Sequence, residues 1–453
     1  MIHLFKKFGL NIVLDVASGS ILTVDDLAYE VLDYYNTNNT FEGIYQKLTL
    51  YSKSDIDETI KEIEELIEQE VLFYKDQYQE YDLIEKRNPV VKALCLHVSH
   101  DCDLRCRYCF ASTGSFKGNR KLMNLEVGKK AIDFLLENSG NRRNLEVDFF
   151  GGEPLLNLDV VKGIIEYARE VEAKYNKKIS FTLTTNATML SEEVMEFLNE
   201  NMENIVLSHD GRKNVNDYMR IDIDGKGTYE NITNNILKFI NKRKGKTYYV
   251  RGTFTANNLD FSEDVLHLAD LGIKEISVEP VVLPDNSPYA IKEEHLEKLK
   301  SEYDRLAERY LERNLSGNGF NFFHFNIDLT GGPCVSKRLA GCGAGFEYMA
   351  VDPDGNLFPC HQFVDKAEFK IGTVFSGIEN HQTVEKFKKN TVFTKDECSN
   401  CWAKYYCSGG CAAANYNMNG NVKKSYSVAC ELEKKRLECA IALKLKLEDN
   451  KDE

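Results

Sequence analysis

Cys102, Cys106 and Cys109, in the run SHDCDLRCRYCF, are the residues whose types and spacing point most directly to chemistry. The C-x3-C-x2-C spacing brings three thiolates to one short loop, directly after an apolar run, 90–98, that reads as a buried strand. A 4Fe–4S cluster usually takes four cysteines. Three of them leave one iron without a protein ligand, open to a small molecule that can bind and react there. Two plainer readings compete. A structural zinc site needs four ligands, often as paired C-x2-C knuckles, and His100 is the one nearby candidate for the fourth. Core cysteines fit less well, because Asp101, Asp103 and Arg105 are interleaved with the three.

A second constellation lies far downstream. Cys342 precedes Asp354-Gly355-x4-Cys360, then Cys398-x2-Cys401-x5-Cys407-x3-Cys411, with Cys430 beyond and Cys334 placed C-x7-C ahead of Cys342. A zinc ribbon is the simple alternative for such C-x2-C spacing. Seven cysteines, however, are too many for one tetrahedral ion and suit two clusters. Of the 13 cysteines, four fall at 95–109 and nine at 334–439, with none between, so two metal regions are expected around a cysteine-free scaffold. Cys95, inside a strand, and Cys439, inside a helix, read as small core residues. His361, beside Cys360, is the one histidine placed to face the same cavity and is the candidate catalytic side chain.

Polar groups cluster where strands end. Gly151-Gly152-Glu153-Pro154 follows the second strand, where two glycines allow close backbone approach of a ligand and Glu153 can accept hydrogen bonds from an ammonium. An ordinary strand-to-helix turn is the plain alternative. Thr185-Asn186 and Ser208-His209-Asp210-Gly211 end the next two strands with groups suited to ribose and carboxylate.

The elements that must position these residues alternate. Strands are expected at 90–98, 145–150, 179–185, 204–207, 248–255 and 275–279, and helices at 125–138, 158–174, 192–201, 229–243, 261–271 and 293–313. Six β/α units predict an α/β fold, a parallel sheet curled into a partial (β/α)6 TIM-like barrel over 90–315, with working residues at the C-terminal strand ends. Cys102, Gly151, Asn186, Ser208, Arg251 and Glu279 fall at or just beyond those ends. From 316 to 453 periodicity fades, and metal is expected to replace a large core, ahead of a C-terminal helix. Residues 1–80 form a small N-terminal domain of winged-helix-like pattern: strands at 2–8 and 11–15, helices at 22–35 and 41–50, a third capped by Ser54, and a closing strand at 71–74. Residues 81–89 read as a linker.

Charge narrows the partners. The chain of 453 residues carries a net −14, which opposes binding to nucleic acid or anionic membrane. Residues 1–85 hold 6 Lys/Arg against 18 Asp/Glu, net −12, the wrong sign for phosphate contacts. An edge strand beside a helix groove suits capture of an extended peptide; a packing domain is the plain alternative. No apolar run approaches the ~20 residues of a spanning helix, and no secretory signal core is present, so a cytoplasmic location is expected.

Taken together, the cysteine loop with Tyr108 before its last cysteine, GGEP after strand two and S-x-D-G after strand four resemble the radical S-adenosylmethionine (SAM) superfamily over 90–284. The downstream cysteines resemble the seven-cysteine SPASM domain. The resemblance implies SAM on the open iron, with Tyr108 at adenine, Gly151, Gly152 and Glu153 at the methionyl end, Asn186 and Ser208 near ribose or carboxylate, and Arg220 as a carboxylate partner. It implies three 4Fe–4S clusters. The first uses Cys102, Cys106 and Cys109; an outer auxiliary cluster uses Cys398, Cys401, Cys407 and Cys430; an inner one uses Cys342, Cys360 and Cys411. The inner set is completed by Cys334 or left open to a substrate thiolate. Cys360-His361-Gln362-Phe363 and the domain order most resemble maturases of six-cysteine (SCIFF) peptides, which form thioether bridges from cysteine sulfur to an α-carbon. The implied partners are a ribosomally made Cys-rich precursor, its leader on residues 1–80, and a ferredoxin or flavodoxin as electron donor. Other peptide modifications (carbon–carbon crosslinking, formylglycine formation) share nearly every motif. A non-catalytic zinc-bound peptide-binding module is the alternative of a different class.

Overall fold

The computed structural model describes residues 1–79, 89–330 and 335–449. The chain opens with β1 (Ile2–Lys7), β2 (Leu10–Asp15) and β3 (Ile21–Val24), an antiparallel sheet in that order. Phe8 and Gly9, both at positive φ (53° and 72°), make the two-residue turn between β1 and β2, a conformation whose twist matches paired strands. Three helices follow: α1 (Asp26–Asn38), α2 (Ile44–Lys47) and α3 (Lys53–Glu68). Val13, Val31, Leu32, Ile44, Ile56 and Ile63 form their shared core.

Three details differ from expectation. Ile21–Val24, expected to begin a helix, is a strand paired with Asn11–Leu14, because the helix cannot start before its cap, Asp25, which accepts from Ala28 N. The third helix is capped by Ser52, whose hydroxyl accepts from Asp55 N, and not by Ser54. Residues 71–74 form no strand; Tyr74 N instead donates to the Asp15 carboxylate at 3.3 Å. The expected linker lies almost wholly outside the described residues.

The central sheet runs β4 (Ala93–Ser99), β5 (Asn144–Gly151), β6 (Lys178–Thr185), β7 (Asn204–Ser208), β8 (Thr247–Phe254) and β9 (Glu275–Pro280), all parallel and in chain order. The connecting helices are α4 (Leu125–Asn138), α5 (Leu158–Val171), α6 (Glu192–Asn201), α7 (Lys213–Met219), α8 (Tyr229–Lys242) and α9 (Phe261–Asp270), with α10 (Leu296–Leu315) after β9. β10 (Asn321–Phe322) extends the sheet beside β9. At the other edge β11 (Tyr348–Val351) pairs in parallel with β4, followed by β12 (Asn356–Phe358), β13 (Gly372–Thr373) and β14 (Gly377–Ile378). The sheet therefore crosses the expected boundary at 315/316.

A parallel sheet covered on both faces reads as unbroken apolar runs. Here β5 to β8 alternate. Val147, Phe149, Phe181, Leu183, Ile205, Leu207 and Val250 pack against Ile164, Leu198, Ile236 and Phe239 of the helices. The opposite face carries Asp148, Thr182, Ser208, Arg251 and Thr253. One face is core; the other is a polar surface leading to the strand ends.

The remaining elements are short: α11 (Val335–Ala340), α12 (His381–Lys388), α13 (Asp396–Ser399), α14 (Lys404–Cys407) and α15 (Ala412–Asn419), then the long α16 (Ser427–Asp449). This region, where metal was expected to replace a large core, has a small core of its own that includes Phe346, Phe363, Phe369, Phe387 and Val422. Its residues are scattered over loops and short helical turns, so no periodicity announces the core. Ile441 and Ala442 of α16 pack on Phe5, Ile12 and Leu14, docking the N-terminal sheet. His3 stacks on Trp402 with ring centroids 3.8 Å apart, and Asp76 accepts from Lys404 Nζ at 2.9 Å and Tyr405 Oη at 2.6 Å.

Candidate active site

The cysteine loop leaves β4 and is held by backbone on three sides. His100 N donates to Lys121 O at 2.7 Å, Arg105 N to Ile221 O at 2.7 Å and Arg107 N to Met219 O at 2.9 Å. The Arg105 guanidinium donates to the carbonyls of Cys102 (2.7 Å) and Leu104 (2.8 Å). Burial pushes the Cys106 thiol up to about 12 and the Cys102 thiol higher still, with Glu153 adding to the latter. All described cysteines are free. Two buried thiols whose ionisation the fold opposes, with a third, Cys109, on the same loop, fit a site where cationic iron supplies the missing compensation.

The glycines of GGEP pack directly against the cysteine loop. A Cβ on Gly151 would lie 2.1 Å from Ser99 O, and one on Gly152 would lie 2.1 Å from Asp101 O. Both glycines admit the backbone of the cysteine loop itself, at the cost of any side chain. The room left by the missing side chains is taken up by the protein's own backbone.

Glu153 is fully buried. Its carboxylate accepts from Leu155 N (3.1 Å), Thr185 Oγ1 (2.9 Å) and Asn186 N (2.8 Å). Burial pushes its pKa up to about 8 even against these donors. No lysine or arginine among the described residues pairs with it, so a cationic ligand group is what the site lacks. Asn186 Nδ2 donates to Asp103 Oδ1 at 2.7 Å and lies 3.7 Å from Cys102 Sγ, so Glu153, Asn186 and Asp103 form one flank of the loop.

The other flank is Tyr108, Asp210 and Arg220. Tyr108 Oη donates to Asp210 at 2.8 Å, and Arg220 Nη2 donates to Asp210 Oδ1 at 3.0 Å. Arg220 was expected as a ligand's carboxylate partner, but Asp210 already neutralises it. Only its Nε is buried without a partner. Asp210 was visible as part of S-x-D-G, but its role as internal counter-ion was not. Ser208 ends β7 opposite Arg251 of β8.

Arg251, Glu279, His324 and His361 meet at the strand ends. Arg251 is ion-paired with Glu279, and His324 Nε2 lies 3.9 Å from the same carboxylate and 3.0 Å from Ser277 Oγ. Burial raises Glu279, yet Arg251, with His324 and His361, outweighs it and holds the carboxyl below its usual range. Burial and Arg251 push His361 down to about 4, so it is a neutral imidazole at physiological pH. Its ring lies 5.7 Å from Phe110 of the cysteine loop and 5.1 Å from Phe150. His324 escaped sequence reading; the polar alternation of β8 and β9 was the signal that pointed to this face.

The downstream cysteines fall into two neighbourhoods. Burial pushes Cys360 up, with Cys411 and Cys342 adding repulsion. Burial likewise raises Cys430 to about 11, with Cys398 and Cys401 adding, and raises Cys407 to about 12, with Cys430 and Cys398 among the contributors. Cys342, Cys360 and Cys411 thus lie together, as do Cys398, Cys401, Cys407 and Cys430. Cys334 lies outside the described residues. Cys95 and Cys439 are buried, at 1% and 0% exposure, in the core.

The class of protein follows from these two cysteine systems on one sheet. Residues 96–253 match the radical SAM superfamily and residues 342–402 the SPASM iron–sulfur cluster-binding domain, so the chain carries a radical SAM domain and a SPASM domain. It is 22% identical over 441 residues to the radical SAM cyclopropyl synthase TigE of Paramaledivibacter caminithermalis, covering 92% of this chain and 89% of that one. It is 25% identical over 329 residues to the cysteine-type anaerobic sulfatase-maturating enzyme of Clostridium novyi, covering 69% and 85%. Among solved structures, anSMEcpe with bound AdoMet and Kp18Cys peptide shares the fold at a TM-score of 0.66 and 23% identity, covering 80% of this chain and all of that one.

Proposed function

We propose that the protein is a cytoplasmic radical SAM maturase of a ribosomally made, Cys-rich precursor peptide, closing a thioether from a cysteine sulfur to an α-carbon. The observation that carries it is the meeting of Arg251, Glu279 and His361 at the strand ends, between the cysteine loop and Cys360. The six β/α units serve as the partial barrel, residues 1–80 hold the leader, and a ferredoxin or flavodoxin supplies the electron. Cys102, Cys106 and Cys109 hold the cluster that, with SAM bound, supplies a carbon radical by reductive cleavage. Glu153 receives the SAM ammonium, Asn186 and Ser208 line the ribose and carboxylate side, and Tyr108 the adenine side, with Arg220 Nε left to donate.

The chain's own residues then orient the peptide. The Arg251–Glu279 pair offers donors and an acceptor to an extended backbone, and holding the reacting carbon in place is worth more here than any single contact. Neutral His361 has a free acceptor nitrogen for the proton that a cysteine thiol releases on bond formation. Cys360 and His361 stand together where sulfatase-maturing relatives place an Asp beside the cysteine, which favours thioether over formylglycine chemistry. Cys342, Cys360 and Cys411 with Cys398, Cys401, Cys407 and Cys430 would hold two auxiliary clusters, one of which would take up the electron released when the cysteine sulfur bonds to the carbon radical.

A second reading, carbon–carbon ring closure on a peptide, is favoured by the relative whose alignment takes in 92% of this chain. Anaerobic incubation with SAM, reductant and a candidate precursor, followed by alkylation and tandem mass spectrometry, separates them. A thioether removes two hydrogens and protects the donor cysteine from alkylation. Two hydrogens lost with every cysteine still alkylated would refute the thioether and support ring closure. A colourless zinc protein would refute both.

A further inference from the structure

Lys395 is 2% exposed, and its Nζ donates to Gly409 O. A Cβ on Gly409 would lie 2.9 Å from that Nζ, so the glycine, at φ 83°, leaves just enough room for the ammonium. No carboxylate among the described residues pairs with it. The contrast is Lys404, 3% exposed nine residues on, which Asp76 neutralises at 2.9 Å. A buried lysine is rare unless it is paired, because an uncompensated charge costs several kcal/mol.

The sulfurs of Cys398, Cys407 and Cys430 of one group and Cys411 of the other lie within electrostatic reach of Lys395. Burial lowers the lysine's pKa, and those four sulfurs, when anionic, act against it. Four thiolates on a 4Fe–4S cluster carry a net negative charge, and two such clusters side by side repel. The acceptor of the Lys395 ammonium, Gly409, lies in the chain between Cys407 of one group and Cys411 of the other, so a positive charge held there would compensate both.

We propose that Lys395 is the internal counter-cation of the two SPASM clusters and sets the reduction potential of the outer one. One-electron reduction adds one negative charge to the cluster, and a fixed positive charge nearby favours that added charge. Lys395 thereby raises the potential and makes the outer cluster a better electron acceptor. The role rests on the SPASM cysteines holding clusters and stands whichever peptide modification the barrel performs.

The test is an EPR-monitored redox titration of the full, anaerobically reconstituted chain with dithionite, for wild type, Lys395→Met, Lys395→Gln and Lys395→Arg, beside iron and sulfide analysis. The uncharged variants are expected to lower the equilibrium constant for reducing one auxiliary cluster about tenfold, a fall of about 59 mV for one electron. Lys395→Arg stays near wild type, and the cluster on Cys102, Cys106 and Cys109 does not move. Unchanged auxiliary potentials in uncharged variants with full iron would overturn the proposal. Should those variants lose SPASM iron, its retention by Lys395→Arg supports the counter-cation role and equal loss from Lys395→Arg overturns it. A wild-type chain with iron only on the first three cysteines would overturn the cluster reading itself.

Discussion

Glu153→Gln makes the sharpest use of the site's geometry. The carboxylate sits fully buried among three donors with no cation paired to it among the described residues, and burial pushes its pKa up to about 8. A raised folded-state pKa means that the ionised form is the costly one: this group's contribution to stability is present at low pH and is lost as pH rises toward 8. A bound ammonium reverses that balance. Below pH 8 the SAM-free protein must release a proton to form the pair, so affinity for SAM falls about tenfold per unit, roughly a hundredfold between pH 8 and pH 6. Above pH 8 the ligand's own amino group, with an ordinary α-amino pKa of about 7.7–8.0, loses its proton and affinity falls again. In Glu153→Gln the charge is gone and one amide N–H group must face the N–H of Asn186 or of Leu155. Removing one member of a buried charge pair costs roughly 2–5 kcal/mol, on the order of 30- to 5,000-fold in affinity. Anaerobic equilibrium dialysis of labelled SAM across pH 5.5–9, with iron content matched, reads both effects. The wild type is expected to peak near pH 8 and the variant to bind weakly without the acid limb. A variant that keeps wild-type affinity and pH profile would refute the assignment of Glu153 to the ammonium.

Three further outcomes follow from packing and charge. Gly152→Ala places a methyl 2.1 Å from Asp101 O, so iron on the Cys102 loop should drop, with about 1–3 kcal/mol lost in anaerobic urea unfolding; full iron content with unchanged stability would contradict this. Arg220→Met strands a buried Asp210 and should cost about 3–5 kcal/mol, most of it recovered in the Arg220→Met/Asp210→Asn pair, as unfolding of the three variants would show. The −12 charge of residues 1–85 calls for a basic leader, so fluorescence anisotropy of a labelled precursor should show weaker binding as salt rises from 50 to 500 mM, and salt-insensitive binding would count against it.

The strands of the central sheet were legible because each is a short run rich in apolar residues between helices with clear apolar spacing. The cysteine groups were legible because spacing alone limits what metals they suit. The rest depended on tertiary context. Gly151 and Gly152 read as ligand-facing because nothing local shows that the loop from Ser99 to Asp101 folds back over them. Arg220 was expected only as a ligand's carboxylate partner, and its pairing with Asp210, ten residues earlier, was not foreseen. β10 to β14 are two to four residues long, too short for any period to register, and β11 joins β4 from 255 residues away along the chain, where Tyr348 aligns with Ala93. His324 and Lys395 carry no motif; only burial and their neighbours single them out.

The central claim is that this chain draws a hydrogen atom from a peptide α-carbon and closes a sulfur bridge there. A candidate precursor deuterated at the α-carbons of its acceptor residues, incubated anaerobically with SAM and reductant, tests it directly. The account predicts deuterium in the 5′-deoxyadenosine formed, in proportion to thioether found by mass spectrometry. SAM cleavage with no deuterium transferred and every cysteine still open to alkylation would contradict it.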